Sequence, residues 1–423
     1  MATESRIKRT PNCVDSPYAG ALSVGDARAR IHTAIEPVVG DECVALRDAL
    51  SRILYEPICS PINVPSHTNS AVDGYAIRGA DLSQIGIAEW DIVATVLAGR
   101  PYTKTVESGE AVRIMTGAKM PLGADTVIMQ EHVELRGDTI CIGQAHRPGE
   151  NVRAAGEDLA VGDTVLRPGK RLTPADLGLL GSLGIAEVRV RRTVRVAFFS
   201  TGDELRSIGE IIGDGEIYDS NRYTLYGMLT RSGVELIDMG VVRDRPQEIE
   251  NAFRQAADCA DVVITSGGVS VGEADYVTST LENLGQIDFW KIAMKPGRPL
   301  AFGRLGDAVF FGLPGNPVAV MVTFYQFVQP ALMKLMGWVA PDMPPMVKAT
   351  CRFRIRKKSG RTEFTRGIMS GSADGYVVES AAPQGSGILR SMSAANCFIV
   401  LPHEQGDVEP GMEVEVQPFA GLI

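Results

Sequence analysis

The sequence predicts a protein of several domains, in which an α/β domain is preceded and followed by β-rich parts. The chain has 423 residues, whereas one domain typically holds about 100–200. Between residues 193 and 340, apolar strands, glycine-rich loops and helices alternate, which is typical of a doubly wound parallel sheet with helices on both faces. From residue 341 to residue 423, short alternating segments separated by turns indicate a small β-barrel or sandwich.

The part before the α/β domain is predicted to combine helices with an inserted β-rich segment. Residues 1–20 show little periodicity and are expected to be a flexible tail. The predicted helices cover residues 23–35, 44–53 and 173–184. If these helices pair, residues 21–60 and 150–192 form one helical region and residues 61–149 are an inserted β-rich domain, with a hairpin around residues 136–138.

Within the α/β domain the elements follow from apolar runs and capping residues. Strands are predicted at residues 194–199, 234–242, 262–265 and 308–312. Helices are predicted to be capped by Asp219 and Asp244, to end at Gly285 and to follow Pro317. Residues 249–260 carry an apolar stripe at helical spacing, which predicts one buried helix face.

The overall composition is that of a folded protein that does not bind nucleic acid. Hydrophobic residues make up 45% of the chain and charged residues 22%. The net charge of −9 gives no general attraction to nucleic acid or to an anionic membrane. Seven cysteines are scattered without a CxxC motif, as expected for reduced thiols in the cytoplasm. We therefore expect a cytoplasmic protein with a small-molecule or protein partner.

No membrane-spanning or secretory segment is predicted. The N-terminal residues are polar and lack the apolar core of a signal peptide. The most apolar stretch, residues 318–333, is short for a membrane span and contains Gln326 and Gln329. It is better explained as a buried helix.

Three loops at strand ends predict a ligand that carries phosphate. They cover residues 201–204, 266–272 and 313–317. Their glycines allow backbone N–H groups to approach an anion at a helix N-terminus. None of these loops is a Walker A or GxGxxG motif. In an open α/β sheet such loops meet at the carboxyl edge, where ligands bind.

Carboxylates beside these loops indicate a divalent cation. They are Asp203, Glu204, Asp219, Asp244 and Asp275. Each also has a structural interpretation, since Asp244 fits a helix N-cap and Asp275 a first helical turn. Acidic groups beside a phosphate pocket would repel the ligand unless a cation intervenes, and Mg²⁺ bridges carboxylates and phosphates.

Basic residues follow in the segment around residue 295. The alternation before Pro296 predicts a strand, on which Lys291 and Lys295 would lie about 13 Å apart on one face. The two lysines could hold two ends of a long polyanion, with Arg298 near the second, or could simply be solvated. The five histidines, at positions 32, 67, 132, 146 and 403, show no metal-ligand spacing, which argues against zinc catalysis.

Eight short motifs occur in a characteristic order along the chain. They are NSAVDGYAIR (69–78), RIMTG (113–117), GED (156–158), STGDEL (200–205), YDSN (218–221), TSGGVSVGEADY (265–276), MKPGRP (294–299) and LPGNP (313–317). In this combination the chain resembles the molybdopterin molybdenumtransferases, a bacterial enzyme family similar to the C-terminal domain of gephyrin. The resemblance extends from about residue 22 to residue 418.

This resemblance implies an elongated homodimer with a helical dimerisation region, an inserted β domain, the α/β domain and a C-terminal β-barrel. It implies Mg²⁺-dependent insertion of molybdenum from molybdate into the dithiolene of adenylated molybdopterin, with release of AMP. The molybdopterin adenylyltransferase is a candidate partner.

The resemblance also assigns roles to individual residues. The expected catalytic residues are Asp73, Thr116, Asp158, Glu204, Asp244, Asp275, Lys291 and Lys295. The expected ligand-binding residues are Gly202, Asn221, Ser266, Gly267, Gly268, Arg298, Pro314, Gly315, Asn316 and Pro317. Glu204, Asp244 and Asp275 are the expected Mg²⁺ ligands. Asp73, Thr116 and Asp158 lie outside the α/β domain and would complete the cleft across a dimer or domain interface.

Two other functions fit parts of the sequence. A molybdopterin adenylyltransferase would resemble the α/β domain alone, and the segment around Asp73 and the C-terminal barrel argue against it. A scaffold that anchors receptors, as in gephyrin, would need a dedicated linker or partner-binding extension, which the sequence does not suggest.

Overall fold

A computed structural model describes residues 20–83, 89–142, 145–268, 276–339, 345–381 and 383–419. The α-helices of these residues are α1 Val24–Ala34, α2 Pro174–Ser182, α3 Ser220–Ser232, α4 Pro246–Cys259, α5 Tyr276–Leu284, α6 Pro317–Thr323, α7 Gln329–Leu335 and α8 Leu389–Ala394. Short 3-10 turns cover Leu46–Asp48, Gly79–Ser83 and Gln130–His132, and a π-helical turn covers Phe324–Val328. Apart from Gly20, the predicted tail lies outside the described residues.

The strands of the first half of the chain are β1 Asp41–Ala45, β2 Ile58–Cys59, β3 Asn69–Ser70, β4 Gly74–Ile77, β5 Glu89–Val96, β6 Glu110–Ile114, β7 Thr126–Met129, β8 Val133–Arg136, β9 Thr139–Ile142, β10 Val152–Arg153, β11 Thr164–Leu166 and β12 Glu187–Arg191. Those of the second half are β13 Arg195–Thr201, β14 Leu205–Arg206, β15 Ile217–Tyr218, β16 Glu235–Val242, β17 Val262–Ser266, β18 Gln286–Lys291, β19 Met294–Lys295, β20 Pro299–Leu305, β21 Ala308–Leu313, β22 Val347–Cys351, β23 Thr362–Ser372, β24 Gly375–Ser380, β25 Cys397–Leu401 and β26 Glu413–Pro418.

Six strands form the sheet of the α/β domain, in the order β16-β13-β17-β21-β20-β18. Neighbours from β16 to β21 run parallel, as predicted. The other edge of the sheet departs from the parallel pattern, because β20 pairs antiparallel with both β21 and β18. Only Gly306 and Asp307 separate β20 from β21, and so short a turn can join only antiparallel neighbours.

Helices cover both faces of this sheet, which confirms the predicted α/β layering. Phe198 of β13 packs in a core that includes residues of α3, α6 and α7, whereas the next residue, Phe199, packs in a core with α4 and α5. The predicted stripe of α4 is buried in the second core. Successive strand residues thus serve opposite faces, as the period of two requires.

The start of α4 differs from the prediction, since Asp244 does not cap it. The helix begins at Pro246, with Arg245 at the N-cap position and no side-chain cap. Proline suits the first helical position because its missing N–H would have no partner there. Asp244 therefore lies in the loop before the helix, where its backbone N–H donates to Asp203 Oδ1 at 3.3 Å.

The predicted helix at residues 44–53 is wrong. The segment Asp41–Ala45 is strand β1, which pairs antiparallel with β12, and only the 3-10 turn Leu46–Asp48 follows it. Ser51 then has a φ of +65°, a left-handed conformation that ends helical geometry. Its apolar residues still pack, since Leu54 shares a small core with Leu180 of α2.

Helix α1 packs against the α/β domain and not, as predicted, against α2. Ser23 caps it through a bond from the backbone N–H of Asp26 at 3.0 Å. Its buried residues join the core that covers one face of the α/β sheet. Arg28 Nε donates to the carbonyl oxygen of Gln326 at 2.9 Å, a contact between residues 298 positions apart. The N-terminal helix is therefore an outer element of the central domain.

The inserted segment contains a six-stranded sheet in the order β7-β4-β6-β5-β9-β8. The predicted hairpin is its β8–β9 pair. The short strand β10 pairs with β3, and later in the chain β12 pairs with β1. The exact boundaries of this domain, residues 61–149, stay a prediction.

The C-terminal strands close into the predicted barrel. Each of β22, β24, β23, β25 and β26 pairs with the next, and β26 pairs with β22. Strand β19, from the central part of the chain, pairs with β23 of this barrel. Phe364 and Phe398 of the barrel are buried in the same core as α6 and α7.

The helix Pro317–Leu335 is long and apolar enough to cross a membrane when judged by length and composition alone. It comprises α6, the π-helical turn and α7. Within its most apolar window, 78% is buried inside the protein. Such burial is typical of a helix in the core of a protein, and core helices also meet the criterion of length and composition.

Candidate functional site

A cavity of about 1070 Å³ lies between the carboxyl edge of the central sheet and the C-terminal barrel. Loops that follow β13, β16, β17 and β21 form one wall, and β23 with residues 384–386 forms the other. The predicted site residues in its lining are Gly202, Glu204, Asp244, Gly267, Gly268, Lys295, Arg298, Pro314, Gly315 and Asn316. The fold therefore brings together ten of the residues that the sequence singled out.

Two glycines of the lining allow close approaches that other residues would prevent. A Cβ on Gly202 would lie 2.6 Å from Glu204 Oε2, so the carboxylate of Glu204 folds back over this backbone. Gly267 has a φ of +91°, and a Cβ there would lie 2.8 Å from the carbonyl oxygen of Thr201. The loops after β13 and β17 therefore pack backbone to backbone at the cavity.

Three predicted binding residues lie beside the lining and not in it. Asn221 Nδ2 donates to the carbonyl oxygen of Gly315 at 2.7 Å, so this side chain holds a wall loop. Ser266 is buried, with its Oγ 2.9 Å from Ser200 Oγ. Pro317 is the first residue of α6. These residues set the shape of the loops rather than face the space between them.

The barrel contributes charged residues that sequence reasoning missed. Arg361, Glu363 and Arg366 all line the cavity. Glu363 is 5% exposed and lies 2.7 Å from Arg361 Nη2 and 3.7 Å from Lys295 Nζ. No motif indicated these residues, because their meeting with Lys295 depends on a pairing between two domains.

Arg366 is a buried cation of this wall. It is 1% exposed, and its Nε donates to Ser391 Oγ at 3.0 Å. Its Nη2 donates to the carbonyl oxygen of Gly385, also at 3.0 Å. Burial lowers the pKa of Arg366 from its ordinary value. An arginine stays protonated despite such a shift, so this wall carries a fixed positive charge.

The prediction of one strand that carries both Lys291 and Lys295 is wrong. Strand β18 ends at Lys291, and β19 leaves the sheet to pair with the barrel. Between the two strands, the backbone N–H of Met294 donates to the carbonyl oxygen of Ile292 at 2.8 Å, which marks a tight turn. Lys291 is exposed outside the lining, whereas Lys295 faces the cavity.

Asp73, Thr116 and Asp158 do not line this cavity within the described residues of one chain. The backbone N–H and the hydroxyl of Thr116 both donate to Asp73 Oδ1 at 2.7 Å. These bonds, the backbone bond first, lower the pKa of Asp73 from its ordinary value. Asp158 is exposed. Asp275 lies outside the described residues.

The carboxylates of the cavity fit a magnesium ion that is bound together with phosphate. Among the residues that the structure describes, no cluster of three or more His, Cys, Asp or Glu side chains could hold a metal. Glu204 and Asp244 nevertheless line the same cavity. Mg²⁺ in phosphate-binding sites usually takes one or two carboxylates and completes its shell with water and substrate oxygens.

Three family models match the chain in succession. They describe a "MoeA N-terminal region (domain I and II)" at residues 22–184, a "Probable molybdopterin binding domain" at residues 197–334 and a "MoeA C-terminal region (domain IV)" at residues 348–419.

Similar proteins are known over almost the whole length. A molybdopterin molybdenumtransferase of Haemophilus influenzae is 46% identical over 95% of this chain and 100% of its own. One of Nostoc sp. is 35% identical over 97% of each chain. The crystal structure of the molybdopterin biosynthesis moeA protein from Pyrococcus horikoshii OT3 matches with a TM-score of 0.82 at 31% identity, over 94% of this chain and 100% of that chain.

Replacement of Gly267 by alanine is expected to destabilise the protein by about 1–3 kcal/mol, because the residue needs a positive φ and has no room for a Cβ. Gly227 is the control. It lies in α3, and a Cβ there would meet no atom within 4 Å, so Gly227→Ala is expected to stabilise by about 0.5–1 kcal/mol. Denaturant unfolding measures both free energies. If the free energy of unfolding changed in the same direction in both variants, this account of the loop would be contradicted.

Substitution of Thr116 by valine is expected to raise the pKa of Asp73 part of the way toward its ordinary value. The change removes the hydroxyl donor and leaves the backbone donor, which is the larger cause of the lowered pKa. Wild-type Asp73 therefore stays ionised to lower pH than the Thr116→Val variant. A carboxyl ¹³C NMR titration measures the pKa of Asp73 in each protein. Thr116→Ser is the control, because serine keeps the hydroxyl donor. Identical titrations of wild type and Thr116→Val would refute the assignment.

Proposed function

This chain belongs to the MoeA family of molybdopterin molybdenumtransferases, and we propose on that basis that it inserts molybdenum into molybdopterin. The proposed substrates are adenylated molybdopterin and molybdate, and the products are the molybdenum cofactor and AMP. One observation carries this proposal: the cavity gathers carboxylates, cations and glycine-rich loops at the carboxyl edge of the sheet. These are the groups that a diphosphate ligand requires.

The cavity suits a large anionic ligand. Its volume of about 1070 Å³ is at the upper end of small-molecule sites. Backbone N–H groups of the loops around Gly202, Gly267 and Gly315 would bind phosphate oxygens. Lys295 and Arg298 would hold the phosphate groups of the pterin and the molybdate oxyanion. Pro314 and Pro317 restrict the backbone of the loop that contains Asn316.

Glu204 and Asp244 would hold Mg²⁺, with Asp275 as the third predicted ligand. When bound, Mg²⁺ neutralises phosphate charge as the phosphoanhydride breaks. Glu204 is suited to this role because its carboxylate folds over Gly202 at the end of β13. Asp244 is suited because α4 begins only at Pro246, which leaves the carboxylate in the loop.

The residues of the cavity would couple metal insertion to AMP release. Cleavage of the phosphoanhydride needs an aligned oxygen nucleophile. We infer that molybdate, held beside the phosphates by Lys295 and Arg298, supplies that oxygen. AMP would then leave only when molybdate is bound.

A second copy of the chain would supply Asp73, Thr116 and Asp158. None of these three lines the cavity of its own chain within the described residues, although their motifs match those of the family. The two bonds from Thr116 fix the Asp73 carboxylate, which suits a residue that is presented to another subunit. We therefore propose a cytoplasmic homodimer with shared sites, supplied with substrate by a molybdopterin adenylyltransferase.

Substitution of Glu204 by glutamine is expected to lower molybdate-dependent AMP release about 100-fold, because a charged group at the developing phosphate charge is lost. The assay mixes purified protein, adenylated molybdopterin and Mg²⁺, with and without molybdate. Glu210→Gln is the matched control, since Glu210 is an exposed carboxylate in the same loop region and does not line the cavity. Wild-type AMP release by the Glu204 variant would disprove the metal assignment, and AMP release that needs no molybdate would disprove the coupling.

Mixed dimers test the shared site. One subunit carries Asp73→Asn and a purification tag, and the other carries Glu204→Gln and a different tag. If each site combines Glu204 of one subunit with Asp73 of the other, the mixed dimer keeps one intact site and about half of wild-type activity, whereas both parent dimers are inactive. A mixed dimer as inactive as its parents would place both residues in one chain's site.

A further inference from the structure

A second cluster of reactive side chains lies in the inserted β domain. His132 ends the 3-10 turn after β7, and His146 lies in the segment after β9. Their ring centres are 5.3 Å apart, with 31° between the ring planes. The side chain of His146 is 4% exposed, and its Nδ1 lies 2.8 Å from Glu150 Oε2. The cavity described above contains none of these residues.

Two ring nitrogens of this cluster have no hydrogen-bond partner among the residues that the structure describes. Both His132 Nδ1 and His146 Nε2 are buried, and neither bonds to any atom of the described chain. An ionised Glu150 carboxylate can only accept from His146 Nδ1, and in the neutral tautomer that donates this proton Nε2 carries a lone pair. A buried lone pair on nitrogen calls for a proton donor, a water molecule or a metal ion.

We propose that His132 Nδ1 and His146 Nε2 bind a divalent transition-metal ion of the Zn²⁺ class. Zn–N bonds of about 2.0–2.1 Å at a tetrahedral angle place two ligating rings about 5 Å apart between centres, so the observed ring separation leaves space for one ion between the two rings. Imidazole nitrogen is a preferred ligand of this class of ion. Glu150 has the role of the carboxylate that accepts the second ring N–H of a metal-bound histidine and fixes its orientation.

Water completes the coordination shell. Among the described residues no third His, Cys, Asp or Glu side chain joins a cluster of metal ligands, so the ion has two protein ligands. Such a site is weaker than a closed structural zinc site and exchanges its ion more readily.

The ion links the segment of His132 to the segment of His146, and both segments are hydrogen-bonded to the loop around Asp73. The backbone N–H of Gln130, in the same turn as His132, donates to the carbonyl oxygen of Asp73 at 3.2 Å. The carbonyl oxygen of Asn151, next to Glu150, accepts the backbone N–H of Ala71 at 2.9 Å. A metal between the histidines therefore joins both supports of this loop.

Metal titration of the chelator-treated full-length protein tests the site. Zn²⁺ is titrated in competition with a chromophoric chelator, and Co²⁺ is titrated with its visible d–d absorption as the readout. We expect wild type to bind one equivalent that His132→Gln and His146→Gln each lose. His403→Gln, a change at an exposed histidine, is expected to keep it. Three outcomes would overturn the proposal. The first is that both variants bind Zn²⁺ as wild type does, and the second is that wild type binds no metal. The third is a Co²⁺ spectrum that shows only thiolate ligation.

A second variant separates metal binding from folding. Glu150→Gln keeps both ligands and is expected to weaken Zn²⁺ binding about 10–100-fold. Thermal unfolding of each variant without metal identifies loss of fold, and added Zn²⁺ should raise the midpoint of wild type but not of His132→Gln. Equal stabilisation of both proteins by Zn²⁺ would contradict the assignment. This result is independent of AMP release.

Discussion

The cavity depends on a hydrophobic core that the central domain and the C-terminal barrel share. Phe398 of the barrel is fully buried, and its ring centre lies 6.2 Å from that of Tyr325 in the π-helical turn. Strand β19 adds backbone pairing to β23 at the same junction. The ion pair between Lys295 and Glu363 contributes less, because the lysine is 52% exposed and its separation of 3.7 Å is long. Apolar burial therefore sets the distance between the two walls.

This junction explains why one cavity contains charges of both signs. The strand ends of the central sheet supply Glu204 and Asp244, and the segment that leaves for the barrel supplies Lys295 and Arg298. The barrel adds the buried guanidinium of Arg366. Carboxylates and cations from different elements thus face the same space. The arrangement suits a ligand that is anionic and accompanied by a cation.

The sequence predicted the parts of the fold that depend on local patterns. Asp219 caps α3, and the apolar stripe of α4 faces the core, because capping and periodicity act within a few residues. The prediction of a helix at residues 44–53 was wrong, because β1 pairs with β12, nearly 150 positions later in the chain. This pairing outweighed the local helical spacing of the apolar residues. The family resemblance predicted Glu204, Asp244 and Lys295 as site residues, and all three line the cavity. Arg361, Glu363 and Arg366 were missed because their placement depends on the junction between domains.

The packing of α1 has a consequence for synthesis of the chain. Arg28 reaches its partner Gln326 only after 298 further residues have been made. At about 5–20 residues per second, this delay is on the order of 15–60 s. During that time the three buried residues of α1, Val24, Ala27 and Ile31, lack the later part of the core that covers them. Completion of the central domain is therefore a late event in synthesis, because one of its outer helices is made first and its packing surface last.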